Sequence, residues 1–479
     1  MNIMELIHSY IPLKGWDEMK GVNGIREEYR NFLDSIKNLS LQDLEYKQQV
    51  SSELFMNQGI TFTVYSDNEG TEKIFPFDIL PRIIKHSEWE MIDAGIKQRL
   101  KALNIFLKDI YSTQSIIKDG IIPAKTIANS PGFCLQAMGI SVANDIYSHI
   151  AGIDLIKGEN GEWYVLEDNL RTPSGVSYML ENREITKRLF PESFNSNKVL
   201  KVNNYPIILY NNLCSLSPRS ISNPVVVILS PGIYNSAYFE HTFLARQMGV
   251  DLVEGRDLVV DNDKVYMKTI SGLSRIDVIY RRIDDEYLDS LSFNPNSILG
   301  VPGILNAYRK GNVAIVNAIG NGIADDKAIY HFVPQMIDYY LNEKPILNNV
   351  PTYFMSNSEH FSYLKENIQN MVVKRTNQSG GYGMLMGNAS SDKEIDLYLK
   401  QIEKNPDEFV AQPIIQLSTV PCFIDGKLVA RHVDFRPFAI YGKEDITIIP
   451  GGLTRVALKE GSLVVNSSQG GGSKDTWII

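Results

Sequence analysis

Residues 152–169 read GIDLIKGENGEWYVLEDN, and three of their side chains, Asp154, Glu167 and Asn169, carry oxygen donors that a hairpin would bring together. Asn160-Gly161 is a strong two-residue turn signal, because a type I′ turn needs positive φ at both central positions. With Glu159 and Glu162 flanking that turn, Asp154 falls directly opposite Glu167, their Cβ atoms roughly 5 Å apart. Asn169 lies two residues on and shares the face of Glu167. Two bare carboxylates so placed repel unless something positive stands between them. An all-oxygen set of this kind suits Mg²⁺. A solvated sheet face would carry the same residues, and the geometry alone leaves both readings open.

A second candidate site is VVKRTNQSGGYG at 372–383. It reads as a strand ending near Lys374, then a loop in which Ser379, Gly380, Gly381, Tyr382 and Gly383 could turn backbone N–H groups toward one anion. It does not fit GxxxxGK[ST] and is no P-loop, and taken alone the segment favours a plain glycine hairpin. Asp325-Asp326-Lys327 opens a helical stretch running toward Leu341, with Asp325 as N-cap and Lys327 in the first turn. A lysine there opposes the helix dipole, so an anion partner would suit it, although a solvated lysine is the commoner case. Gln412, Pro413 and Ile414 end a short buried strand that could lie along a planar ring. Arg431, Asp434, Arg436 and Arg455 accompany a Gly-dense stretch at 467–475, which fits a surface tail or a second anion loop.

The elements that must position these residues follow from periodicity and composition. The chain has 479 residues, a formal net charge of -9 and 44% hydrophobic content, enough for about three structural units. That charge argues against a nucleic-acid coat or a polybasic membrane-surface protein. Cys134, Cys214 and Cys422 are far apart and suit free thiols in a reducing cytosol. No signal peptide or membrane span is legible, so a soluble cytoplasmic protein is expected. Residues 1–56 read as charged amphipathic helices. From 89 to 111 a helical stripe of Leu100, Leu103, Phe106, Leu107 and Ile110 reads as core. An Asn/Ser/Pro-rich stretch at 189–206 is the best linker candidate. Strands at 225–229, 250–253, 277–281 and 311–318, with a helix at 240–248, suggest an open parallel sheet.

Together these residues resemble the ATP-grasp superfamily, whose metal end reads Asp, then Glu-x-Asn and a Pro/Gly turn. Here that is Asp154, Glu167, Asn169 and Thr172-Pro173-Ser174-Gly175. Lys327, Lys374 and the glycine loop come after this strand rather than before it, the inverted order of the circularly permuted ATP-grasp family. The resemblance rests on LEDNLRTPSGVSYMLENR (166–183), SPGIYNSAYFEHTFLARQMG (230–249), VIYRRIDDEYLD (278–289) and NAIGNGIADDKA (317–328). It continues through VARHVDFRPFAIYG (429–442) and IPGGLTRVALKEGSLVVNSSQGGGSKDTW (449–477).

The resemblance implies a mixed α/β and α+β chain. A helical segment at 1–56 would precede a C-lobe part with the metal hairpin at 57–190. A Rossmann-like pre-ATP-grasp domain at 205–320 would follow, then an N-lobe at 321–415 and the rest of the C-lobe with the Gly-rich tail at 416–479. It implies ATP and Mg²⁺, two ions by expectation, held by Asp154, Glu167 and Asn169. Lys327, Lys374 and the 379–383 loop would meet phosphates, and Gln412, Pro413 and Ile414 the adenine. Many such ligases carry Arg two residues before the first metal Asp. That position is Gly152 here, so Arg171, Arg436 and Arg455 are the candidates for the acyl-phosphate contact. Glu240, His241, Arg281 and Arg282, close to strand ends, are substrate candidates, though a salt-bridge cluster with Asp284 and Asp285 explains the arginines equally well.

The activity so implied joins a small-molecule or peptide carboxylate to an amine through an acyl phosphate, releasing ADP. A kinase-type phosphotransferase and a non-catalytic nucleotide-binding partner are the alternatives on the same fold. Relatives occur beside an all-helical alpha-E protein, a candidate partner; neither nucleic acid nor membrane is expected.

Overall fold

The computed structural model describes residues 3–66, 69–376, 384–457, 459–463, 465 and 471–479. Along the chain the elements used below are α1 (Glu27–Ile36), α2 (Leu41–Asn57), β1 (Phe77–Ile84), α3 (His86–Ile110), β2 (Ile150–Lys157), β3 (Trp163–Asn169) and α4 (Val176–Leu189). A parallel unit contributes β4 (Val226–Leu229), α5 (Tyr238–Met248), β5 (Asp251–Val253), β6 (Val278–Arg281) and β7 (Ala314–Val316). Then come α6 (Lys327–His331), β8 (Met371–Arg375), β9 (Phe409–Pro413), β10 (Lys427–Arg436), β11 (Leu453–Val456) and β12 (Gly472–Ile478).

The main sheet includes the run β3-β2-β10-β11-β12-β1, antiparallel between these strands except for the parallel pair β12 and β1, with Asn348–Asn349 added parallel to β3 at the edge. Strands from the two halves of the chain therefore lie side by side, and the metal-type hairpin β2–β3 is completed only by β10 and β11. The stripe of Leu100, Leu103, Phe106, Leu107 and Ile110 on α3 is buried against this sheet and the Val333–Leu341 helix. Burial of each such side chain is worth roughly 1.5–3 kcal/mol, which holds the sheet against its helix layer.

A second sheet, in the order β7-β6-β4-β5, is parallel throughout, as the alternating pattern led us to expect. A small antiparallel sheet, Leu258–Asp261, Lys264–Thr269 and Gly272–Arg275, branches from it. A further antiparallel sheet places Tyr353–Phe354, β9, β8 and Leu385–Met386 side by side, so Lys374 and Gln412 stand on neighbouring strands. The stretch at 189–206 is packed rather than loose: it holds a helix, Pro191–Ser196, and buries Phe190, Val199 and Val202. The N-terminal helices fold onto the main sheet, where Glu18 grips the buried Arg82 at 2.7 and 2.5 Å and Arg82 donates to the Asp434 carbonyl at 2.9 Å.

Candidate active site

Asp154 and Glu167 are Cα partners across β2 and β3, and Gly152 partners Asn169. The turn that leads there differs from the one read in the sequence. Only Gly161 takes positive φ (79°), and Gly161 N–H donates to the Gly158 carbonyl while Gly158 N–H donates to Glu162. This is a three-residue loop closed by a left-handed glycine, not a type I′ turn. A Cβ at Gly161 would stand 2.7 Å from the Trp16 ring, a second reason for glycine there. The register is accordingly one residue out at Lys157–Trp163, and a bulge at Leu166 restores Asp154 to Glu167.

Asp154 is buried and sits between two guanidinium groups from the far half of the chain. Arg436 donates to it from Nε at 2.5 Å and Nη2 at 2.8 Å, and Arg455 from Nη2 at 2.7 Å. Burial raises the Asp154 carboxyl, but Arg436 and Arg455 outweigh it and hold the group down at about 2. Arg455 also binds Asp434, with contacts of 2.9, 3.0 and 2.5 Å. Across the ladder, Lys327 Nζ donates to Glu167 Oε1 at 2.8 Å. The positive group demanded by two facing acids is thus supplied by side chains of the protein itself.

Lys374 Nζ donates to Gln412 Oε1 at 2.7 Å, and Gln412 Nε2 to Thr352 at 3.0 Å. Burial and the charge of Lys327 push the Lys374 ammonium down to about 8, against the upward pull of Glu167 and Asp154. Those four charges therefore form one electrostatic unit. Pro413 ends β9 and Ile414 N–H donates to the Asn370 carbonyl at 2.8 Å. Ser379, Gly380, Gly381, Tyr382 and Gly383 lie outside the described residues.

A cleft of about 660 Å³ opens beside this unit, lined among others by Glu167, Asn169, Arg171, Asp284, Asp325 and Lys327. Of the three candidate arginines, Arg171 lines it, with Nε 3.4 Å from Asp284 and 4.0 Å from Asp325. Asp325 was expected to cap a helix. The cap of α6 is instead Asp326, which accepts from Ala328 N–H, and Asp325 accepts the N–H groups of Leu170 and Arg171 at 2.7 and 3.1 Å. Burial pushes the Asp325 carboxyl up to about 7; Arg171 and the two N–H groups oppose the rise and Glu167 adds to it.

Glu240, His241 and Arg282 come together inside the protein and away from the cleft lining, whereas Arg281 is buried separately and pairs at 2.7 Å with Asp285, which lines the cleft. Glu240 accepts from Gly175 N, Ser177 N and Ser177 Oγ at 2.8, 3.1 and 3.0 Å and from Arg282 at 3.1 Å. Arg282 also donates to the Pro173 carbonyl at 2.8 Å, and Arg281 to the carbonyls of Ile283, Asn317 and Ala318. His241 meets Ser230 at 2.9 Å, and burial with the charge of Arg282 pushes its imidazole down to about 2.

One residue that sequence reasoning passed over is Asn317, just after β7. Its Oδ1 accepts from His149 and Ile150 N–H at 2.9 and 3.0 Å, and its Nδ2 donates to the carbonyls of Ile150 and Leu170 at 2.7 and 2.5 Å. It ties the parallel unit to the start of β2 and the end of β3. A buried asparagine directly after a buried strand was the available signal.

The oxygen donors fit a hard cation. Among the described residues Asn169 Nδ2 is buried without a partner, and Asp154 Oδ1 accepts a single N–H, leaving one lone-pair site. Among the described residues no set of three His, Cys, Asp or Glu forms a metal cluster.

Comparison with known proteins agrees with this layout. Residues 81–457 match the model of the circularly permuted ATP-grasp type 2 family. An uncharacterised protein of Synechocystis sp. is 49% identical over 474 residues, covering 99% of this chain and 98% of its own length. One of Mycobacterium leprae is 47% identical over 465 residues, covering 97% and 82%. A Frankia alni protein with the provisional name glutamate--cysteine ligase 2-3 is 39% identical over 476 residues, 99% of this chain but 54% of that protein. In structure, a glutathione synthetase-like effector from Globodera pallida in its apo form is similar with a TM-score of 0.60 at 10% identity, covering 92% of this chain and 98% of that one, a likeness of fold. With that match over most of its length, around a hairpin whose two lysines arrive from later in the sequence, the chain belongs to the circularly permuted ATP-grasp type 2 family.

Proposed function

We propose that this chain is an ATP- and Mg²⁺-dependent, ADP-forming ligase that activates a substrate carboxylate as an acyl phosphate and joins it to an amine. The observation that carries the reading is the approach of Lys327 to Glu167 at 2.8 Å, with Lys374 in the same charge cluster at the edge of a large cleft. Two lysines brought to two carboxylates and an amide oxygen make a site for a polyphosphate with its cation. The provisional glutamate–cysteine ligase name of the Frankia relative supports carboxylate–amine chemistry.

In this reading Asp154, Glu167 and Asn169 hold the cation, two ions in all, whose chemistry is to neutralise charge on the phosphates. Lys327 and Lys374 orient the terminal phosphoryl group, and Gln412, Pro413 and Ile414 lie along the adenine. A carboxylate oxygen attacks the γ-phosphorus and the bond to ADP breaks. An amine then attacks the acyl carbon, inorganic phosphate leaves, and the amine gives up its proton. Arg171, Arg436 and Arg455 are the cations available to the acyl phosphate. No protein nucleophile takes part. The parallel β4–β7 unit is the pre-ATP-grasp domain of this scheme, and the reading includes an all-helical partner of the alpha-E kind, which copurification tests. Among the described residues no helix is long and apolar enough to cross a membrane.

Positional isotope exchange in [βγ-bridge, β-nonbridge ¹⁸O]ATP tests the reading, with Mg²⁺ and pooled amino acids, peptides or other carboxylates but no amine. Exchange that depends on one pool and is lost in Glu167→Gln is expected. No ATP binding, with Glu167→Gln indistinguishable from the unmodified protein, would overturn it.

A further inference from the structure

Gly152 lies buried in the middle of β2, and its φ is not in the left-handed region, so backbone freedom does not explain a glycine there. Space does. A Cβ at this position would stand 3.2 Å from Arg436 Cδ, 3.3 Å from Arg436 Cγ and 3.3 Å from Pro173 Cβ. Glycine inside a strand marks close approach by another group, and here that group is the stem of an arginine from the neighbouring chain segment. Phe438, two residues past Arg436, pairs with Gly152 and fixes the approach.

We infer that Gly152 and Arg436 act as one unit: the bare Cα of Gly152 forms the slot in which Arg436 lies, and the guanidinium so placed is the one that meets the phosphoryl oxygens during transfer. This rests on the ligase reading and deepens it by choosing among three arginines.

The fork of Arg436 is aimed from three sides. Asp154 takes Nε and Nη2, and the Ser174 carbonyl takes Nη1 at 3.1 Å. The 173–177 turn is itself fastened by the buried Glu240–Arg282 pair, Glu240 through Gly175 and Ser177, and Arg282 through the Pro173 carbonyl. Glu240 and Arg282 are thus positioning residues. Three of the five N–H donors of Arg436 are engaged among the described residues, which leaves two for a ligand. Arg455 divides its guanidinium between Asp154 and Asp434, and Arg171 faces Asp284 and Asp325. Arg436 combines two carboxylate contacts, a carbonyl anchor and two remaining donors, and its partner Asp154 acts electrostatically on Lys374. A fork held in advance is suited to charge that develops on transfer, because it need not reorganise when the charge appears.

The test is the affinity of the full chain for Mg-ADP, by calorimetry, with and without aluminium fluoride as a mimic of the transferred phosphoryl group. The unmodified protein binds Mg-ADP and binds it more tightly with fluoride. In Arg436→Ala the fluoride gain, taken as the ratio of the two affinities within the same variant, falls on the order of tenfold or more. Arg436→Lys, which keeps a charge without the fork, loses the gain as well and serves where the alanine variant folds poorly. Gly152→Ala reduces the same gain, and Gly152→Ala/Arg436→Ala is no worse than Arg436→Ala alone. A fluoride gain that survives both Arg436 variants, or additive losses in the double variant, would overturn the inference. Absence of Mg-ADP binding in the unmodified chain would remove the ligase reading beneath it, whereas binding without any fluoride gain would overturn only this assignment.

Discussion

Asp154 faces Glu167 because Leu166 is an extra residue in β3: below the bulge Leu155 pairs with Val165, and above it Asp154 pairs with Glu167. The donor cluster is therefore reached through a local irregularity of one strand. Deleting Leu166 removes the extra residue, so that Glu167 follows Val165 directly and still pairs with Asp154 in a regular ladder. Retained Mn²⁺ binding, read by electron paramagnetic resonance, is the expected outcome, with circular dichroism unchanged in the helical bands; loss of binding would show that the bulge itself aims the donors.

Glu167→Gln leaves Lys327 without its carboxylate. Both side chains are partly exposed, so the effect on stability should stay near 1 kcal/mol or less. Isotope exchange should fall by at least two orders of magnitude if the carboxylate holds the cation, a loss comparable to removing a preorganised charge. A thermal melt beside the exchange assay separates the two effects.

Lys374, pushed down to about 8 by burial and by Lys327, predicts how nucleotide affinity varies with pH. Phosphate binds the ammonium and raises its pKa, so above pH 8 binding takes up a proton. Affinity for Mg-ATP should be flat from pH 6.5 to 7.5 and fall as pH rises past about 8, by up to tenfold per unit. Lys374→Arg stays charged and should flatten that decline; titration calorimetry at several pH values reads both.

Asp325 sets a different pH dependence. Its carboxyl, raised to about 7 mainly by burial, is protonated more readily in the folded chain than in the unfolded one. The stability contribution of that protonated form is present at low pH and is lost as pH rises from about 4 to about 7. Asp325→Asn should therefore stabilise the ligand-free protein at pH 8, with the difference vanishing near pH 4, as measured by urea unfolding at each pH.

Arg455 is buried between Asp154 and Asp434. Removing it leaves two buried carboxylates with Arg436 as the nearest cation. Arg455→Ala should cost about 3–5 kcal/mol in chemical denaturation. A cost below 1 kcal/mol would show that the cluster adds little to stability.

Much of this was legible in residue order because it is local. The hairpin and its facing acids were legible, although the Asp154–Glu167 pairing is reached through a three-residue loop and a bulge at Leu166 rather than the two-residue turn; the 3.6-residue stripe on α3 marked the core, and runs of β-branched residues marked β4 and β6. The details that failed were ones where neighbouring choices differ little in energy. Asn-Gly suits several turns, and either Asp325 or Asp326 could cap α6. What only the tertiary structure decided is which groups meet the acids. Arg436 lies 282 residues and Arg455 301 residues from Asp154, and Lys327 is 160 from Glu167. No periodicity spans such distances. They meet because β10 and β11 complete the sheet that β2 and β3 begin, and because burying two facing carboxylates is tolerable only with cations packed against them.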